Sequence, residues 1–460
     1  MEKTAKREMI GTEGKVLLDT LQRLHRKGAV ENCIKLVRKT HPADLAWIFP
    51  SLSPHAQKDI FQIIANTELV SDFLAELDES IMVDLVDGLS TEFMAEVVTK
   101  MASDDAADLL DALPNEIAVE IRTHMETDDR NEVEELLKYH PETAGGLMSP
   151  DFMYLDADLT IEEAIRKVQK RSEEKEMVFY LYITRGDGLL AGVLSLRELI
   201  LHPMHRQLKN VMNPNVISVT TDTDQEEVAH IVSQYDLLAV PVVDATFKLV
   251  GIVTVDDIID VIREEATEDF FQMAGAGRDQ EILLKPLHQK ILLRGPWLFA
   301  SWTGGVAAMF IISFFQTELN KVLTLASFIP IIAGMGGNIA TQSSTIVVRG
   351  LATGRLNIQQ FVHVVSKEFV VGLVLGAFFG ILLGLLAHFE YASPSYLGVV
   401  VGFSVFAVMT MAATVGTIVP IILKRLNIDA AVATGPFITT SVDVLGVLLF
   451  FYVAKLLLNL

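Results

Sequence analysis

A single cysteine, Cys33, stands in 460 residues, so no disulfide can close within the chain. The opening run MEKTAKREMIGTEGK has no apolar stretch of secretory type, and the two absences together lead us to expect the front of the protein in a reducing cytosol. There is no phosphate loop of the Walker type, no His-rich or Cys-rich metal spacing and no nucleophile elbow. ATP-driven pumping and enzyme chemistry therefore have no constellation to rest on. Charge is scarce at one end: of 59 Asp and Glu and 37 Lys and Arg in the whole chain, residues 291–460 hold 5 and 8. The 290 residues before them hold the other 54 and 29. An acidic field of that size repels nucleic acid and gathers cations.

What the tail has instead is apolar length. Crossing a bilayer core of roughly 30 Å takes about 20 helical residues, and five stretches qualify, near 295–316, 323–349, 362–388, 396–423 and 431–457. Arg294, Arg349, Arg355, Lys367, Lys424 and Arg425 gather at one set of connections, whereas the connections around Gln316–Lys321 and His388–Tyr396 hold one basic residue. Cytosolic loops favour Lys and Arg, so the pattern predicts a multi-pass protein of the plasma or inner membrane, N-terminus inside and C-terminus outside.

Ahead of the spans the sequence has two grammars. Residues 1–140 carry apolar positions three and four apart, with ADLAWIFPSLSP at Ala43, VDLVDGLSTE at Val83 and ADLLDALPNE at Ala107 as a loose repeat. They predict an acidic, all-α superhelical domain. Residues 141–263 alternate strands and helices twice: Met148–Val168 matches Met212–Val232, and in each copy an apolar strand pair ends on Ser/Thr-x-x-acid, at Ser195/Glu198 and Thr254/Asp257. That pattern resembles a tandem pair of α/β CBS domains. Residues 264–290 read as a helix connecting the pair to a five-helix transmembrane domain, 291–460.

Ionisable groups at bilayer depth are costly and so mark function. Asp443 lies well inside the last span, with no basic residue in Pro436–Ala454 to pair with it; Thr439 and Thr440 extend its face, and Pro436 removes a backbone donor, which would free the carbonyl of Val432. Oxygen-rich surroundings suit a hard cation. In the second span, Pro330, three glycines and Asn338 with Gln342 admit two readings: close helix packing, or a broken helix lining a cavity. Thr410, Thr414 and Thr417 share a face of the fourth span, where threonines also bond their own backbone. Outside the membrane, acids crowd at Asp104–Asp111 and Asp256–Asp269, where a bridging divalent cation would relieve their repulsion.

The order of these sections, with GMGGNIATQSSTIVVRGLATG at Gly334, VDDIIDVIREEATEDF at Val255 and TGPFITTSVDVLG at Thr434, resembles the MgtE family of magnesium transporters over essentially the whole chain. The resemblance implies a membrane homodimer with a pore on its two-fold axis, Asp443 of each subunit facing the ion, and Asn338, Gly435 and Pro436 in the wall. It also implies that cytosolic Mg2+ closes the pore by bridging Asp224, Glu226, Asp236, Asp257, Asp260, Glu265, Glu268 and Asp269, with Asp104 and Asp108, the connecting helix acting as plug. A nucleotide, ATP, in the CBS cleft would meet Tyr180, Arg197 and Glu198. Where relatives often have Asp-Pro before the last span, Asp429 here precedes Ala430. Two other readings remain: a transporter or exchanger for Co2+ or divalent cations broadly, and, from another class, a membrane-anchored CBS nucleotide sensor.

Overall fold

The computed structural model describes residues 2–86, 89–171, 179–186, 188–277, 282, 285–356, 361–391, 396–426 and 428–458, the side chains of 2–13, 79, 171 and 433 excepted. It divides into two compact units, Met1–Val261 and Ile262–Leu460.

The first unit begins with short helices: α1 (Glu2–Arg26), α2 (Val30–Val37), α3 (Pro42–Ile48), α4 (Pro54–Ala65), α5 (Val70–Ala75), α6 (Glu79–Val86), α7 (Thr91–Val98), α8 (Ser103–Ala112), α9 (Asn115–His124) and α10 (Thr127–Leu136). From α2 to α10 they stack on next-but-one neighbours: α2 on α4, α3 on α5, α5 on α7, α6 on α8, α7 on α9 and α8 on α10. This is how helices too short to bury a face alone build a shared core, here around Phe49, Ile60, Phe73, Leu74, Met94, Leu109 and Ile121. The sequence repeat falls where one helix ends and the next begins. Ser53 and Ser90 cap α4 and α7 by accepting from the backbone N–H of Ala56 and Phe93, which supplies orphan donors of the first turn.

After the four-residue α11 (Ala144–Leu147) come the two modules. The first runs β1 (Tyr154–Asp156), α12 (Ile161–Arg171), β2 (Tyr180–Arg185), β3 (Leu189–Ser195), α13 (Leu196–Leu201); the second runs β4 (Val219–Thr220), α14 (Gln225–Tyr235), β5 (Ala239–Val243), β6 (Leu249–Thr254), α15 (Val255–Met273). Each sheet has its first strand parallel and its third antiparallel to the middle one, with an irregularity at the matching place, Ile183/Thr184 and Val242/Val243. The modules lock by exchange. Ser149, entering the first, trades backbone hydrogen bonds with Ile252 of β6 at 2.8 and 3.0 Å, and Asn213, entering the second, trades them with Val193 of β3 at 2.9 and 3.0 Å. Gly251 and Gly192 leave room for the Met148 and Met212 side chains, whose sulfurs a Cβ at either glycine would strike. The recurring Ser/Thr-x-x-acid is thereby explained: Ser195 with Glu198 forms a complete capping box, and Thr254 donates to Asp257 at the start of α15.

The second unit holds α16 (Leu287–Phe314), α17 (Gln316–Lys321), α18 (Ile329–Ala352), α19 (Phe361–Glu390), α20 (Leu397–Arg425) and α21 (Pro436–Leu458). All but α17 are long and apolar enough to cross a membrane. α20 is the central helix, packed on α18, α19 and α21, and α16 lies along α21. α19 reaches α20 through Gly372, Gly376, Gly380 and Gly384, which face Thr410, Phe406, Gly402 and Gly398 at backbone-contact distance. Small residues at four-residue spacing let membrane helices approach this closely.

One open pair of readings is decided and two expectations change. From Ile329 the second span is one unbroken helix, as the close-packing reading has it, because Pro330 stands in its first turn, where no donor is needed, and Gly336 serves packing by admitting Val408 and Val442. Pro436 begins α21 rather than interrupting it, so Val432 belongs to a separate 3-10 turn, Ala431–Ala433. The helix expected over 264–290 instead continues unbroken from Val255 and stops at Met273, where Gly275 (φ 69°) and Gly277 (φ 101°) turn the chain; residues 278–281 and 283–284 of that stretch lie outside those described.

Candidate functional site

Pro436 lacks the N–H that a first helical turn leaves unused, so α21 can start there. Asp443 follows seven residues later, about 10 Å along the axis. It is half-buried, and with Thr439 it faces Gly337 of α18: a Cβ built on Gly337 would lie 3.8 Å from both Asp443 Oδ1 and Thr439 Cγ2. Thr439 donates its hydroxyl back to the carbonyls of Gly435 and Pro436 at 3.3 and 3.2 Å, leaving oxygen lone pairs for other use. Thr440 turns its methyl to Gly304 of α16 instead, occupying the space a side chain there would need. Asn338 and Gln342 lie on an exposed stripe of α18 with Gly334 and Ile346. The threonines of α20 each bond their own helix: Thr410 to Phe406, Thr414 to Thr410 and Thr417 to Ala413, at 2.7–2.8 Å.

Gly435 is a close-approach glycine. A Cβ on it would stand 2.9 Å from the carbonyl oxygen of Met273 and 3.2 Å from that of Gln272, while one on Gly275 would strike the Pro436 ring. The end of α15 therefore seats directly on the start of the helix that carries Asp443. Gln272, 1% exposed, donates to Glu268 at 2.6 Å, and its own carbonyl oxygen is buried with no hydrogen-bond partner among the described residues. Sequence reasoning missed Gln272, whose only signal was its place one turn after Glu268. It also missed two polar links of the helical bundle, Ser343 to Glu368 at 2.8 Å between α18 and α19, and Lys455 to Glu318 at 2.8 Å between α21 and α17.

Among the acids of the first unit the structure brings Asp257 and Asp104 together. Burial, then the Asp104 and Asp256 charges, push the Asp257 carboxyl up to about 7, against the opposing pull of the Thr254 hydroxyl. Other acids already have local duties: Asp224 caps α14 by accepting from Glu226 N–H at 2.9 Å, and Asp236 ends that helix in the left-handed region at φ 51°. Asp108 lies on α8, Asp260, Glu265 and Asp269 on α15. Among the described residues no three His, Cys, Asp or Glu side chains converge as a metal-holding group. What exists within the first unit is a repelling carboxylate pair, a donor set a divalent cation fits only if further ligands are added. Tyr180 is half-buried at the start of β2, Arg197 is exposed, and Glu198 is engaged by its cap.

Family models match most of the chain: one described as "Divalent cation transporter" covers residues 329–453, the "MgtE intracellular N domain" covers 40–142, and the CBS domain covers 144–205 and 208–264. The chain is similar to the magnesium transporter MgtE of Bacillus subtilis, 33% identical over 94% of this chain and 95% of that one. It is 38% identical to the magnesium transporter MgtE of Thermus thermophilus over 72% of this chain and 73% of that one. Its fold is also similar to the crystal structure of the cytosolic domain of the Mg2+ channel MgtE in complex with ATP, at TM-score 0.50 and 32% identity, covering 53% of this chain and 99% of that one.

Proposed function

The chain belongs to the MgtE family of magnesium transporters, and from that premise we propose that it admits Mg2+ to the cytosol through a channel-like pore that cytosolic Mg2+ closes. The observation that carries the proposal is Asp443. A carboxylate at the centre of a span costs about 2.5–3.5 kcal/mol to insert, and this one stands against Gly337, a residue with no side chain to neutralise it. The exposed stripe of Asn338 and Gln342 supports the same reading, since polar side chains at membrane depth need water or a partner subunit beside them. In a homodimer, two Asp443 carboxylates would hold one ion through its water shell, which Mg2+ surrenders reluctantly. Asn338, Thr439, Gly435 and Pro436 would line the path, with the N-terminus inside and the C-terminus outside.

Closure rests on electrostatics. Asp257 and Asp104 repel each other while no cation is bound, and a divalent ion drawing in Asp108 or Asp260 would reverse that cost. Because α15 ends against Gly435 and Pro436, ordering that helix would bear on the mouth of the pore. ATP at Tyr180 and Arg197 would be a second modulator, a reading supported by the ATP complex of the related cytosolic domain.

The test is Mg2+ entry into proteoliposomes, wild type beside Asp443→Ala, with Mg2+ varied on the cytosolic face. Entry that needs Asp443 and falls as cytosolic Mg2+ rises is expected. Entry indifferent to the substitution would end the proposal, and equal entry of Co2+ would widen it to divalent cations in general.

A further inference from the structure

From Ile262 to Met273, where α15 belongs to the second unit, a single residue is buried, and it is polar. Gln272 is 1% exposed, whereas Phe270, two positions earlier, is 65% exposed. A helix end docked by apolar burial alone would turn its phenylalanine inward and leave its amide in water. Here the order is reversed.

The seat around Gln272 is closely built. Met273 packs on Val348 and Leu351 of α18 and on Ala430 and Ala431. Gly435 brings the start of α21 against the backbone carbonyls of Gln272 and Met273, and the Pro436 ring meets Gly275. Polar groups there find partners within the seat: Gly275 N–H donates to the backbone carbonyl of Gln272 at 2.9 Å, the buried Thr434 hydroxyl donates to the carbonyl of Ala431, and Gln272 Nε2 donates to Glu268. The side-chain oxygen of Gln272 is the exception, with no hydrogen-bond partner among the described residues. Buried polar atoms are ordinarily satisfied, so an orphan at this place calls for a physical reason.

A buried acceptor without a donor forfeits the hydrogen bond it would make to water, and recovers it once the site opens. The penalty therefore falls on one state only, the state in which α15 rests on α21. We infer that Gln272 keeps this seat marginal: it is a positioning residue that weakens the docking of α15 against Gly435 and Pro436, so that docking holds only when something else stabilises it. The consequence for transport rests on the reading that cytosolic Mg2+ closes the pore. A penalty on the closed state raises the ligand concentration that populates it, so Gln272 sets how much Mg2+ closure takes. An apolar side chain of similar length strands no oxygen and makes the seat self-sufficient.

The test compares wild type with Gln272→Met and Gln272→Glu by amide hydrogen exchange over residues 268–277 of the full-length protein in detergent, divalent cations chelated, and by Mg2+ entry into proteoliposomes. Gln272→Met should slow exchange by about tenfold, the size of one stranded polar group, and halve entry at about tenfold lower cytosolic Mg2+. Gln272→Glu, which buries a carboxylate beside Glu268, should speed exchange and move the midpoint upward. General damage to the fold would shift both variants in one direction. Exchange in Gln272→Met as fast as wild type, or faster, overturns the inference, since the oxygen would then already have a donor such as ordered water. Slowed exchange with an unmoved midpoint, in a wild type that does close, overturns Gln272 as the residue that sets closure. Wild-type entry that ignores cytosolic Mg2+ would end the reading of closure, and the exchange comparison would still decide the seat.

Discussion

Asp443 of α21 and Gly337 of α18 face each other so closely that a single added carbon at Gly337 would come to 3.8 Å from the carboxylate oxygen. That distance is ordinary van der Waals contact, which makes the position a graded probe of the proposed path. Gly337→Ala should leave Mg2+ entry within about twofold of wild type, while Gly337→Leu, which must displace Asp443 or Thr439, should reduce it by about tenfold or more. Flux in proteoliposomes, with protein amount and thermal transition matched, decides it. Equal flux through the leucine variant would remove Asp443 and Gly337 from the ion's route.

Asp257 gives a pH dependence with a definite sign. Its folded-state pKa of about 7 lies above the 3.8 it has when exposed. Between those values the folded chain holds the extra proton, so the stability linked to Asp257 is complete below about pH 4 and is lost as pH rises through 7. With divalent cations chelated, the thermal transition of the full-length protein should fall from pH 6 to pH 8, and Asp257→Asn should flatten that fall. The effect is a few kcal/mol at most, at roughly 1.4 per pKa unit. Mg2+ should raise the wild-type transition at pH 8 and raise that of Asp257→Asn less. A variant with an unchanged pH slope would separate Asp257 from cation sensing.

Much of this protein was legible from its residues because the signals are periodic. Apolar length announced the five helices long enough to cross a membrane, and the doubled Met-to-Val and Ser/Thr-x-x-acid patterns announced the paired modules, since each module needs the same cap and the same strand-edge glycine. What escaped was contact between residues far apart in sequence. Lys455 meets Glu318 across 137 positions, and Ser343 meets Glu368 across 25, and no local pattern encodes either. Proline was misread in the last span because its effect depends on whether it falls in a first turn or later, and helix starts are weakly marked in uniformly apolar sequence; for the same reason the sequence left the second span open between two readings.

The pair Glu318–Lys455 fastens the far end of the helix that carries Asp443. The Lys455 ammonium, hydrogen-bonded to Glu318, holds that carboxyl below its usual range. The sign is opposite to that of Asp257: the contribution is present above the ordinary glutamate pKa and is lost as pH falls through the lowered one. Glu318→Gln and Lys455→Met should each lower the thermal transition at pH 7, and the double variant should lose less than the two together. Strict additivity would mean that the two side chains do not interact in solution.

Ser343 is 2% exposed and gives its hydroxyl proton to Glu368 at 2.8 Å, so α19 is tied to α18 by a polar contact inside an apolar bundle. Removing the acceptor strands a buried donor, at a cost of about 1–3 kcal/mol, whereas an amide oxygen in its place can still accept. Glu368→Ala should therefore lower the thermal transition in detergent, and Glu368→Gln should recover most of the loss. Flux adds a second readout. If Glu368 acts only by holding α18, the glutamine variant transports Mg2+ like wild type; if the charge itself is needed, the glutamine variant is stable yet slow, which would add a second carboxylate to the proposed ion path.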